Sequence, residues 1–358
     1  MAGVSAGGTV TALWDAELPQ PPSTRRTAAA TARQAPRSAG ECTDQSYATR
    51  REKGLWLAAV LPARHVAAGA VAVALIAACQ SGAHASSGTR DPSFPKPPRG
   101  ATVFGRQLGD DALALAVVPR GKTALLVQAS VVGRQGNGLQ GLRLAFTVAG
   151  HRKVAAACAP GCYRARFSPA AAPRAVDVEA PGLARPWHVE LPAAWPPHSA
   201  AFLVARTEKV WRALHSLTFH ETLGSGVGQV VASTWRVQAP DRLAYQVQGG
   251  WAGVVIGARR WDRAPGATRW QPSAQTPLHQ PVPFWVSVTD AHVLGAVTYH
   301  GRPAVRVSFF DPGSPAWFTL VIDPKTSRTL DSHMVTNAHF MHDTYESFDT
   351  TPAIVPPR

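Results

Sequence analysis

Five side chains able to bind a soft metal fall within ten residues near the C-terminus: His333, Met334, His339, Met341 and His342. Met334 and Met341 are the only methionines after the initiator. Taken as a single strand, the period of two puts His333, Val335, Asn337, His339, Met341 and Asp343 on one face. Met334, Thr336, Ala338, Phe340, His342 and Thr344 fall on the other. His339 and Met341 are then neighbours at i, i+2, and imidazole with thioether suits copper(I). The same pattern describes an ordinary strand, with Met334 and Phe340 packed inward and the histidines on its rim. No ligand pair has a spacing that demands a metal, so the strand is the favoured reading. Copper, held by His333, His339, Met341 and His342, is the alternative and the one cofactor the residues suggest.

Other chemistry finds less support. "HETLG" (220–224) starts like a zinc-protease helix, but Gly224 stands where the second histidine must be. "GSGVG" (224–228) lacks the Lys-Ser/Thr of a phosphate loop and reads as a hairpin turn. No Gly-x-Ser-x-Gly elbow occurs. Asp110-Asp111 is a lone acidic pair in a loop, more a turn than a calcium site. No catalytic residue is assigned, and the sequence points away from an enzyme.

Cys158 and Cys162 frame "CAPGC", and Pro160-Gly161 supplies a turn between them. Two cysteines in one short loop of an exported chain predict a disulfide. A zinc site would need two further ligands nearby, and a thioredoxin-type motif has two intervening residues rather than three.

Export itself rests on "ARHVAAGAVAVALIAACQSG". Arg64 and His65 precede an apolar run from Val66 to Ala78, which ends at Cys79. This is the layout of a secretory signal, and the run is short of the roughly 20 residues a spanning helix needs. Ile76-Ala77-Ala78-Cys79 resembles a bacterial lipobox, which implies lipidation at Cys79. Residues 60–79 are therefore taken as the signal, and 1–59 as a disordered extension or a mis-assigned start. Residues 80–100, rich in Ser, Gly and Pro, read as a flexible tether. The expected location is the extracytoplasmic face of a bacterial cell membrane, with the lipid anchor as the membrane contact.

The 358 residues carry a formal charge of +14, with 45% hydrophobic and 16% charged side chains. That composition is globular. The positive charge favours anionic surfaces such as lipid headgroups, but the arginines are scattered with no basic run, which argues against nucleic acid.

Thirty glycines, 31 prolines and 11 tryptophans, with little helical periodicity, predict a mainly β chain. Short strands recurring about every ten residues over 101–196 predict an immunoglobulin-like sandwich. Over 197–358, one helix is expected in "AAFLVARTEKVWRALHSL", with Phe202, Val210, Leu214 and Leu217 on its apolar face. A meander of antiparallel strands follows, forming an α+β half-barrel wrapped around one or two helices.

The order helix, "APDRLAYQV", "VVIGARRWDR", a Pro-rich segment with Trp285, "GRPAVRVSFFDP", "WFTLVIDPKTSRTL" and "HFMHDTYESF" resembles the lipoprotein-carrier superfamily (LolA/LppX-like). Sandwich and half-barrel together, over about 110–358, resemble the extracytoplasmic tail of actinobacterial copper-resistance membrane proteins of the CopC/CopD type. The chain lacks their polytopic membrane region and N-terminal copper-binding domain. The first resemblance implies a curved sheet around an apolar cavity for a lipid or other apolar ligand. Strand parity and this analogy select Trp235, Tyr245, Val255, Trp261, Phe309 and Phe318 as its lining. An envelope membrane protein is the other partner considered.

Overall fold

The computed structural model describes residues 94–358. The extension 1–59, the signal 60–79 with Cys79, and the tether up to residue 93 lie outside the described residues. Among those described, no helix is long and apolar enough to cross a membrane.

The chain is mainly β. Its first strands are β1 (Thr102–Leu108), β2 (Asp111–Pro119), β3 (Leu125–Val132), β4 (Ala145–Val148), β5 (His151–Val154), β6 (Ala156–Ala159), β7 (Cys162–Phe167), β8 (Ala175–Glu179) and β9 (Trp187–Glu190). They form two antiparallel sheets, β1-β2-β3-β7-β6 and β5-β4-β8-β9. Leu113, Leu115, Val117, Leu125, Val127, Phe146, Val176 and Val178 alternate inward and close the core between them. Cys158 and Cys162 form a disulfide across the β6–β7 turn.

A helix, α1 (Ala201–Ala213), follows. Its buried residues are Val204, Thr207 and Trp211, spaced three and four apart along one stripe. Phe202, expected on that stripe, is instead 80% exposed. Its position lies off the line through Val204, Thr207 and Trp211, so period outweighs hydrophobicity here. Leu217 belongs to the next strand.

The remaining strands are β10 (Ser216–Gly226), β11 (Gln229–Gln238), β12 (Arg242–Val247), β13 (Ala252–Ile256), β14 (Arg259–Arg263), β15 (Gln271–Ala274), β16 (Thr289–Tyr299), β17 (Arg302–Asp311), β18 (Ala316–Ile322), β19 (Thr329–Thr336) and β20 (His339–Glu346). They make one antiparallel sheet, ordered β15-β14-β13-β12-β11-β10-β20-β19-β18-β17-β16. Two meanders meet at its centre, where β10 pairs with β20.

This order has a geometric consequence. β15 and β16 are the two edges of the sheet yet neighbours in the chain, so residues 275–288, which form neither helix nor strand, must pass from edge to edge. Ten inter-strand spacings in a flat sheet come to about 48 Å, while roughly 14 residues extend to at most about 50 Å. A flat sheet would pull the connection taut. The sheet curls into a half-barrel instead, and the connection lies as a strap across its concave side, carrying Phe284 and Trp285 into the interior.

The convex side is covered too. Phe310, Trp317, Val335 and Phe340 pack on Val103, Ala112, Ala114 and Ala116 of the sandwich. Gly105 sits at this contact, where a Cβ would come within 2.8 Å of the Val335 Cβ and 3.3 Å of the Trp317 Cβ. The tether expected over 80–100 is not free at its C-terminal end. Phe94 stacks on Trp317 at 5.5 Å, and Ser130 Oγ and Gln128 Nε2 donate to the carbonyls of Pro95 and Lys96. An aromatic residue in the Pro-rich run finds an apolar niche, which its composition alone hides.

Candidate functional site

The concave face is built from alternate residues of successive strands. On β10 and β11 these include Phe219, Leu223 and Trp235; on β12 and β13, Tyr245 and Val255; on β17 and β18, Val307, Phe309, Phe318 and Leu320. Five of the six expected lining residues, Trp235, Tyr245, Val255, Phe309 and Phe318, thus share one buried cluster. Trp261 does not. It pairs directly with Val254, and the two pack with Ala244 and Ile354 on the opposite face. The Gly257-Ala258 turn joins β13 and β14 so that odd-numbered Trp261 shares the side of even-numbered Val254. Parity counted straight through the turn therefore misplaces it.

The interior is filled with rings. Phe219 stacks on Trp235 at 5.9 Å, and Trp235 on Tyr245 at 4.8 Å. Gly253 makes room for Tyr245, since a Cβ there would run into the tyrosine ring. Trp211 of α1 meets Phe284, Trp285 and Tyr345 edge-on at 6.4, 6.4 and 5.3 Å. Each such pair adds about 0.5–1.5 kcal/mol beyond its buried area. Trp211 also donates from Nε1 to Thr329 Oγ1 at 2.9 Å, which ties helix to sheet. The strap is held at its end by the buried Asp311, whose carboxylate accepts from the backbone N–H of Val286 and Ser287.

Polar groups are few and grouped. Glu221 and Asp343 are direct partners across β10 and β20, and Ser332 pairs with Asp343 on the far side. Tyr345 donates to Asp343 Oδ2 at 2.9 Å, and Ser332 Oγ lies 2.8 Å from the tyrosine oxygen. Burial pushes the Glu221 carboxyl up to about 7, against hydrogen bonds from Trp235 and Ser233 that lower it. Asp343 is raised well above the carboxylate range, by burial first and then by the charge of Glu221. Asp343 Oδ1, Trp285 Nε1 and Thr207 Oγ1 are buried with no hydrogen-bond partner among the described residues. Between β12 and β14, Tyr245 donates to Asp262 Oδ1 at 3.3 Å, and Arg260 pairs with Asp262 at 2.7 Å. Nothing in the sequence marked Glu221 beyond the rejected "HETLG" motif. Its partner lies in a different meander.

The His/Met segment is a hairpin, not one strand. Asn337-Ala338 forms a two-residue turn, with Ala338 at φ +49°, and β19 and β20 pair through Met334↔Met341 and His333↔His342. The turn inverts parity. Met334 and Met341 face the interior and pack in its core. His333 and His342 lie on the convex side, their rings stacked at 4.0 Å and 6°. His339, buried near the turn, is pulled down to about 4 by that burial. The four residues of the copper reading are thus divided between the two faces of the sheet.

No protein-family model matches the chain, and no curated protein does. Solved structures do resemble it. LprF from Mycobacterium bovis matches 44% of this chain and 96% of its own, with a TM-score of 0.34 and 12% identity. The lipoprotein LppX from Mycobacterium tuberculosis matches 44% and 100%, with a TM-score of 0.36 and 13% identity. A LolA superfamily protein from Nitrosomonas europaea matches 44% and 95%, with a TM-score of 0.22 and 7% identity. No residue correspondence follows from likenesses this distant.

Proposed function

We propose that this chain is a non-catalytic, extracytoplasmic binding protein of the cell envelope, anchored by a lipid at Cys79, that holds a lipid or other apolar ligand inside the half-barrel. One observation carries the reading. The concave face is an apolar, aromatic-lined interior that also holds three buried polar atoms without hydrogen-bond partners among the described residues, Asp343 Oδ1, Trp285 Nε1 and Thr207 Oγ1. Ligand sites are mostly apolar with a small number of polar groups that fix orientation, and an unpaired buried polar atom costs about 1–3 kcal/mol. A ligand with a polar end would relieve that cost.

Phe284 and Trp285 of the strap, with Trp211 of α1, occupy the space an acyl chain would take. The strap has no strand or helix to break, so moving its inner part would cost the ring contacts of Phe284 and Trp285 but no ladder of backbone hydrogen bonds, while Asp311 keeps its end fixed. The positive charge of the chain favours an anionic headgroup at the membrane surface. With β1 set aside as an added edge, the sandwich orders β2-β3-β7-β6 and β5-β4-β8-β9 fit the immunoglobulin-like reading. In that role the sandwich props the convex side of the half-barrel, and an envelope membrane protein as partner stays compatible with its outer sheet.

Photocrosslinking tests the proposal. Vesicles carrying an acyl-chain diazirine phospholipid are mixed with the protein, and adducts are mapped by mass spectrometry. Adducts on Trp235, Tyr245, Phe309, Phe318 or Met341 are expected. Labelling confined to exposed residues such as Phe202 would remove the interior site.

A further inference from the structure

The convex face of the β19–β20 hairpin holds a cluster that the apolar site does not use. His333 and His342 are direct cross-strand partners, and Asp331 stands two residues before His333 on the same face. On a β ladder, an i, i+2 pair plus one direct cross-strand neighbour makes a triangle of side chains within mutual reach. Here the three converge. Asp331 Oδ2 lies 2.8 Å from His342 Nε2 and Oδ1 lies 3.4 Å from His333 Nε2. One donor atom from each residue lies within 4.8 Å of the others.

We propose that Asp331, His333 and His342 form a binding site for one divalent first-row cation, zinc(II) or copper(II). Two imidazole nitrogens and one carboxylate oxygen are the donor set that suits these ions. Copper(I) is disfavoured, because the thioethers of Met334 and Met341 lie on the other side of the sheet. The imidazole side chains are 49% and 42% exposed while Asp331 is 11% exposed, so the carboxylate is the fixed base of the site and its outer side faces solvent. That leaves a coordination position for water or for an exchanging ligand. Tyr299 donates to Asp331 Oδ2 at 3.4 Å and acts as an outer-shell support for the carboxylate.

Two further groups bear on the charge. Arg306 directs its positive charge toward His333, and Glu190 of the sandwich offsets it in turn. The site lies on the opposite face from the apolar interior and stands or falls independently of it.

The test uses the full chain, stripped with chelator and titrated at neutral pH with zinc chloride by calorimetry, and separately with copper(II) by electron paramagnetic resonance. One equivalent is expected, with nitrogen couplings from two imidazoles in the copper spectrum. His333→Gln and His342→Gln should each weaken binding at least tenfold and abolish the zinc-dependent rise in Tm. His188→Gln, at an exposed His–Asp pair on the sandwich, should change neither. Absence of a stoichiometric site in the native protein would overturn the proposal, as would tight binding that survives both substitutions. Should a variant misfold, the copper spectrum of the unaltered protein decides alone: fewer than two equatorial nitrogens contradicts the assignment.

Discussion

Glu221 and Asp343 are direct partners across the central β10–β20 ladder, two carboxyls side by side in the part of the sheet that faces the aromatic interior. Asp343 is fully buried, and Tyr345 and Ser332 complete its surroundings. Two charges cannot both be kept in such a place, so at least one carboxyl stays protonated near neutrality. The pair gives the half-barrel a polar end that can donate as well as accept.

Stability should therefore depend on pH through Glu221. Its folded pKa, about 7, exceeds the ordinary 4.5, so the folded form binds more protons than the unfolded one between those values. The contribution is fully present below about pH 4.5 and is lost as pH rises through about 7. Glu221 keeps a partly exposed edge, which reduces the effect to about 1–3 kcal/mol. Urea unfolding of Glu221→Gln against the native chain should show the difference between the two growing over that window, with the variant gaining.

The strap should gate entry. Phe284 contacts Phe219 at 5.4 Å and Trp211 at 6.4 Å but is only half-buried. Phe284→Ala is expected to lower stability by about 1–3 kcal/mol, at or below the usual range for a buried phenylalanine. It should also speed uptake of a fluorescent fatty acid in stopped-flow mixing by several-fold. An unchanged rate would mean the ligand enters elsewhere.

The contact between sandwich and half-barrel should be sensitive at Gly105, which is held within van der Waals reach of Val335 and Trp317. Gly105→Leu is expected to cost about 1–3 kcal/mol by overpacking. A single thermal transition should broaden or split in calorimetry as the two parts lose their shared core.

The Cys158–Cys162 disulfide closes a very short loop. Its removal by Cys158→Ser with Cys162→Ser should cost about 2 kcal/mol on chain-entropy grounds. Denaturant midpoints with and without the bridge check this. The loss should fall on the sandwich and leave the tryptophan-rich half-barrel little changed.

Much of this architecture is legible in the sequence, and the reasons for the rest are physical. Hairpins marked by glycine and proline disclosed the meander and the mainly β class. Parity along a strand brought Trp235, Tyr245, Val255, Phe309 and Phe318 to one face. It failed at two-residue turns. Asn337-Ala338 carries no glycine, so the hairpin reads through as one strand, and the His333–His342 pair was assigned to opposite faces. Gly257-Ala258 did the same to Trp261. The Glu221–Asp343 pairing joins residues from separate meanders, and no local pattern encodes a long-range register. The strap is likewise a property of topology, since nothing between 275 and 288 except Phe284-Trp285 distinguishes it from an ordinary Pro-rich loop.

If the half-barrel holds a lipid-sized apolar ligand, native mass spectrometry of the full chain purified from an envelope extract should detect it. A bound population heavier by one lipid mass is expected, with tandem dissociation releasing a single species. Bare protein throughout, unchanged after incubation with phospholipid micelles, would contradict it.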